Sequence, residues 1–266
     1  MDRPFYPGFI ISVFPLLLKY LPVTLFVVAA TVIAGSCLGL LLARARMGRS
    51  RTGRALAGAY ITVMRCTPSV VLLFIVYYGL PLLVKVLTGI DINGMHRAVF
   101  VIVTLSLLFA ANMGELMRGA WLSVGSAQRE AALSTGLTET QAFLRITAPQ
   151  AAVAALPNFC NALTSLMKEG ALAFTIGLVD MMGQGMLIIS RNYGAYGLET
   201  YIALAVIYWA LTVILERSFR ALEKYLSRGK RSVGGSNNMP FFNHEPHKPH
   251  EPFIRKVKIG KMECGQ

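Results

Sequence analysis

The sequence predicts an all-α integral membrane protein with about five transmembrane helices, one of its loops built as helix, glycine, helix. Three observations carry this. The chain is 55% hydrophobic against 15% charged, too apolar for a soluble core of 266 residues. Its apolar residues gather in runs near the roughly 20 residues a helix needs to cross a bilayer. Between two of these runs lies a polar interlude, Gly125 to Pro149, with its own helix signals.

In order, the apolar runs are Phe14 to Ala43, Tyr60 to Leu87, Ala98 to Leu116, Ala151 to Leu178 and Tyr201 to Leu215. The first exceeds the short apolar core of a secretory signal and has no basic segment ahead of it, so it reads as a retained span, with residues 1–13 as an external N-terminal segment. Within it, Gly35 and Gly39 form a Gly-x-x-x-Gly pair suited to close helix packing. No repeat of 20 to 50 residues interrupts the membrane domain, 14–226. Residues 227–266 turn to Gly, Asn, Pro, His and Lys, a composition that cannot bury enough apolar surface to order, and read as a disordered tail. His244, His247 and His250 recur every third residue there, but the interleaved prolines prevent a helix from presenting them on one face, so no metal site is assigned.

The net charge of +13 does not point to nucleic acid, because it is concentrated beside the apolar runs. Arg44, Arg46, Arg49, Arg51 and Arg54 crowd the first loop, and Arg217, Arg220, Lys224, Arg228, Lys230 and Arg231 follow the last span. The positive-inside rule then places the N-terminus outside, and the C-terminus and the Gly125–Pro149 loop in the cytoplasm. Cys37, Cys66 and Cys160 read as packing residues; with Cys264 they show no pairing pattern.

In the polar loop, Ser126 is positioned to cap a short helix carrying Glu130, Ala131 and Ala132, which Gly136 ends in a left-handed conformation. Thr138 and Gln141 have capping-box spacing for a second helix, and Pro149 marks the turn into the fourth span. The two alanines make one side of the first helix slim enough for a partner's groove, with Glu130 offering charge at its rim.

The fourth span carries Asn158, Asn161, Ser165, Lys168 and Glu169 at spacings of three and four, a polar stripe opposite a lipid-like face of Leu156, Cys160, Leu163 and Met167. Charges at this depth must face protein or water. The functional reading is a lining for a zwitterionic solute; the structural one is an interhelical network such as Lys168 with Glu115, or a position near the membrane surface. Asn112 and Glu115 of the third span are further path candidates. Arg65, Thr67 and Pro68 read as gating or structural, with Pro68 a hinge and Arg65 free to snorkel, to pair with Glu115 or to hold a gate.

Glu130-Ala131-Ala132 with Gly136, Ile146 and Pro149 resembles the EAA loop of ATP-binding-cassette importer permeases. Arg65-Cys66-Thr67-Pro68, Ala148-Pro149-Gln150-Ala151, Leu156-Pro157-Asn158 and the Lys168-Glu169 region extend the resemblance from about Leu21 to Leu222, within the polar amino acid uptake subfamily. Two departures stand out. Ala127-Gln128 replaces the usual Gly-Gln, and Lys168-Glu169-Gly170-Ala171-Leu172 replaces Lys-Asp-Thr-Ser-Leu, which bears on substrate preference. The resemblance implies a bacterial inner-membrane subunit that is no enzyme itself. It also implies a second permease subunit, identical or paralogous, an ATPase subunit that holds ATP and magnesium and docks on the Glu130 loop, and an external amino-acid-binding protein. In agreement, Gly229-Lys230 and Gly260-Lys261 lack the Ser or Thr of a phosphate-cradling loop. An ion-gradient-driven transporter or channel is the alternative reading, and a membrane anchor or metal sensor using the His-bearing tail a third.

Overall fold

A computed structural model describes residues 5–227 of the chain. The readings on His244, His247, His250, Cys264 and the two Gly-Lys pairs therefore lie outside the described residues. Every regular element among those described is helical. Four helices are long and apolar enough to cross a membrane: Leu21–Met47, Ser69–Thr88, Arg97–Ser123 and Gly197–Leu226. A fifth crossing is available from Glu139–Ile176 and Met181–Arg191, a pair bent by 48°.

The expected first span is two helices. α1 (Pro7–Leu18) ends before Lys19, and α2 (Leu21–Met47) opens with Pro22 in its first turn, where a missing N–H costs nothing. The expected second span is also broken. α3 (Arg51–Cys66) is amphipathic and stops at Thr67, because the following Pro68 disfavours the helical region for the residue before it. The Thr67 hydroxyl donates to the Val63 carbonyl at 2.7 Å and satisfies one of the freed acceptors. The apolar crossing starts only at Ser69, with α4 (Ser69–Phe74), a π turn (Ile75–Gly79) and α5 (Leu80–Thr88).

α6 (Arg97–Ser123) is the interior rod. Phe100, Val101, Phe109 and Met113 are each no more than 3% exposed, and together with Leu72, Leu73, Leu163 and Leu166 they form the larger apolar cluster. Its widest interface is with α2, where the two glycines permit close approach: a Cβ on Gly35 would meet the Phe109 ring at 2.9 Å. After the polar loop, α7 (Ser126–Ser134) and α8 (Glu139–Ala142), the chain passes through a second π turn (Phe143–Thr147) into α9 (Ala148–Gly170). Pro149 does not mark a turn, contrary to expectation: the path stays helical. The Ala148 N–H reaches back to the Phe143 carbonyl, and this widened turn carries the chain into the proline. Pro81 likewise stands two residues after the first π turn, although there the Leu80 N–H makes the ordinary helical bond to the Val76 carbonyl.

A 3-10 turn (Ala171–Ile176) leads to α10 (Met181–Arg191) and α11 (Gly197–Ser227). Val13, Leu17, Met181, Ile188 and Leu204 form a second apolar cluster that ties α1, α10 and α11 together. Leu87 (72% exposed), Ile33 (68%) and Trp209 (68%) lie on the outside, an apolar surface suited to lipid. Cys160 is buried as a packing residue, whereas Cys37 and Cys66 are exposed, contrary to the packing role expected of them.

Candidate functional site

The polar loop begins where α6 ends. Gly125 holds the cap position of α7 and Ser126 is already its first helical residue, so the expected serine cap is absent. The other end is as expected. Gly136 has φ +87°; its N–H donates to Leu133 at 3.0 Å, and that of Leu137 to Ala132 at 3.2 Å, the paired bonds of a Schellman motif. Thr138 and Gln141 cap α8 reciprocally, side chain to backbone in both directions.

Four contacts stiffen this projection. Arg129 of α7 donates to Glu139 of α8 at 2.9 Å, and that hydrogen bond raises the guanidinium pKa further above its ordinary value. Gln150 of α9 donates to Gln128 of α7. Trp121, at the end of α6, packs on Phe143 with ring centroids 4.9 Å apart. Ala132 and Ala142 are buried between these pieces. The expected slim outer face is thereby corrected: Ala132 is 4% exposed and serves the loop's own small core, so Glu130 and Ala131 are the members of the motif left outward, with Gly136 and Pro149 also exposed.

Two of the chambers between the described helices bring charged side chains from different helices together. The larger, about 650 Å³, is lined by Arg46, Arg54, Gly58, Thr62, Arg65 and Glu115. The Glu115 carboxylate accepts from Arg118 at 2.7 Å and from Arg46 at 3.2 Å. Among the described residues Lys168 and Glu115 form no ion pair, and Glu115 lines the larger chamber without any member of the polar stripe. The smaller chamber, about 160 Å³, brings Arg65, Thr67 and Ser69 against Asn112 of α6 and Glu169 of α9. It thus holds a cation, a carboxylate and neutral hydrogen-bonding groups in one space. Arg65 lines both chambers.

On α9 the stripe divides. Asn158, Asn161, Ser165 and Lys168 are exposed, while Glu169 is turned into the small chamber. Leu156, Cys160, Leu163 and Met167 are not lipid-facing as expected: the last three are buried and Leu156 half-buried. An apolar face opposite a polar one is ambiguous in sequence, because lipid and a neighbouring helix are equally apolar.

A buried polar hub escaped sequence reasoning. Asp180, 2% exposed, caps α10 by accepting from the Gly183 N–H at 2.8 Å and accepts from the Thr24 hydroxyl of α2 at 3.4 Å. The same hydroxyl accepts from the Met181 N–H at 3.1 Å. The signal was present as a lone acid just ahead of an apolar run, but its partner lies 156 residues away.

Comparison with known proteins agrees with this arrangement. Residues 35–228 match the family described as "Binding-protein-dependent transport system inner membrane component". The chain is 40% identical over 233 residues to the L-cystine transport system permease protein TcyL of Bacillus subtilis, covering 88% of this chain and 96% of that one. It is 32% identical to the nopaline transport system permease protein NocM of Agrobacterium fabrum, covering 85% and 95%. Among solved structures, an amino acid ABC transporter chain matches with TM-score 0.72 and 28% identity, over 85% of this chain and all of that one. The MetNI methionine transporter in inward-facing form shares the fold, with TM-score 0.59 at 18% identity over 80% of this chain and 94% of that one. The chain belongs to the binding-protein-dependent inner membrane family. It is a multi-pass permease subunit of an ATP-binding-cassette importer.

Proposed function

We propose that this chain is the membrane-spanning subunit of an ATP-driven importer of polar amino acids, with the polar loop as the handle through which an ATPase moves the helices. The observation that carries the reading is the loop itself: two short helices locked by a Schellman turn, a capping box and the Arg129–Glu139 pair, with Glu130 and Ala131 facing outward. A stiff exposed projection transmits force, whereas a frayed loop would absorb it. On this reading the N-terminus is outside, and the loop and C-terminus are cytoplasmic, the orientation that the arginine-rich first loop supports. ATP and magnesium belong to the partner ATPase; a second permease subunit, identical or paralogous, completes the path; an external binding protein delivers the solute.

The small chamber supplies the substrate reading. Arg65 faces the carboxylate of a zwitterion and Glu169 its ammonium, with Asn112 and Thr67 as neutral partners. The exposed Asn158, Asn161, Ser165 and Lys168 continue a polar surface along α9. The relatives' names, cystine and nopaline among them, support an amino-acid class.

Uptake by proteoliposomes containing this chain, the ATPase and the binding protein tests the proposal. Glu130→Lys should abolish ATP-driven uptake while leaving the thermal unfolding of the chain unchanged. Uptake that continues without ATP would refute it.

A further inference from the structure

Besides the substrate chamber, with which it shares Arg65, the larger chamber is built for an anion. Arg46 of α2 and Arg54 and Arg65 of α3 face a single carboxylate, Glu115. That carboxylate is already held by Arg118 and Arg46. Among the described residues neither Arg54 nor Arg65 has a hydrogen-bond or ion-pair partner, and the Arg46 Nε is buried and unpaired. Arg54 and Arg65 are exposed to solvent and Arg46 is half-buried, so an incoming anion can reach all three, and like charges gathered on one cleft favour its binding. Gly58 lets the Arg46 guanidinium lie close against α3: a Cβ there would stand 2.7 Å from Arg46 Nη1.

The chamber's place in the fold narrows the ligand. Arg46 is in the last turn of α2, and α6 runs only two turns beyond Glu115 before the polar loop begins, so the chamber lies at the water-facing end of the spans. On its outer side α3 exposes Leu56 (72%) and Val63 (57%), apolar neighbours for an acyl chain. The guanidinium fork matches phosphate geometry, and basic pockets between membrane helices take anionic head groups. We propose that this chamber binds one phosphate-type oxyanion, presented by an anionic phospholipid head group or by free phosphate.

Native mass spectrometry of the purified full-length chain can count bound phosphatidylglycerol against phosphatidylcholine of the same acyl composition. A parallel thermal-shift titration compares sodium phosphate with sodium chloride at equal ionic strength. Phosphatidylglycerol should bind in preference, and Arg54→Gln should weaken it about five-fold. Arg54→Lys should retain part of the binding, and Arg51→Gln, an exposed arginine outside the chamber, should leave it unchanged. Phosphate that displaces the lipid, or that stabilises the chain only while Arg54 is present, identifies the free ion as a source; lipid that phosphate cannot displace identifies the head group. The proposal falls if neither ligand binds in an Arg54-dependent manner.

Discussion

Gly39 of α2 lies so near Met113 of α6 that a Cβ built on the glycine would stand 2.5 Å from the methionine's own Cβ. A Cβ cannot rotate away from such a clash, so the two backbones would have to part. Gly39→Val should destabilise the chain by about 1–3 kcal/mol, the usual cost of overpacking. Thermal unfolding in detergent checks this. Gly119→Ala, with nothing within 4 Å of the added carbon, should be neutral or slightly stabilising.

Gly136 carries the turn between α7 and α8 at φ +87°. Replacing it with Ala should cost about 1 kcal/mol locally and Asn less, because Asn tolerates the left-handed region. Both variants should keep the unfolding temperature of the membrane part. ATP-driven uptake should fall in the order Gly, Asn, Ala, Val, and an equal rate in all four would show that the loop's shape does not matter.

Glu169→Gln should lower the uptake efficiency, kcat/KM, by about tenfold or more, the loss expected when a charge-assisted hydrogen bond is weakened. Transport assays across a substrate series read it. Asn112→Leu, which removes a neutral partner from the same chamber, should act more mildly. Unchanged kinetics in both would place the solute elsewhere.

The Asp180 hub binds α2 to α10. Asp180→Ala removes a helix cap and should cost about 1–2 kcal/mol, whereas Asp180→Asn keeps a capping oxygen and should cost less. A double-mutant cycle with Thr24→Val should show coupling of about 0.5 kcal/mol or more. Strict additivity in thermal unfolding would mean that the 3.4 Å contact contributes nothing.

The polar loop was the most legible part because its chemistry is local. The Thr138–Gln141 box and the Gly136 turn each rest on residues a few positions apart, and both formed as read. The breaks at Lys19 and Thr67 were harder to see. Hydropathy averages over a window, so α3 was merged with the span behind it, although Pro68 marked the boundary. Of the two partners of Glu115, Arg118 sits at i+3 on the same helix and was within reach of a spacing rule, whereas Arg46 comes from a different helix, and no spacing rule reaches across helices.

Sequence alone determined that this chain needs a bilayer, where its spans fall to within a broken end, and that a polar projection interrupts them, since these follow from composition and short-range capping. Tertiary structure decided which face of α9 meets its neighbours, which carboxylate enters the small chamber and where the unpaired arginines converge. Those outcomes depend on how whole helices are rotated and packed against one another, and that rotation is set by contacts between residues far apart in the chain.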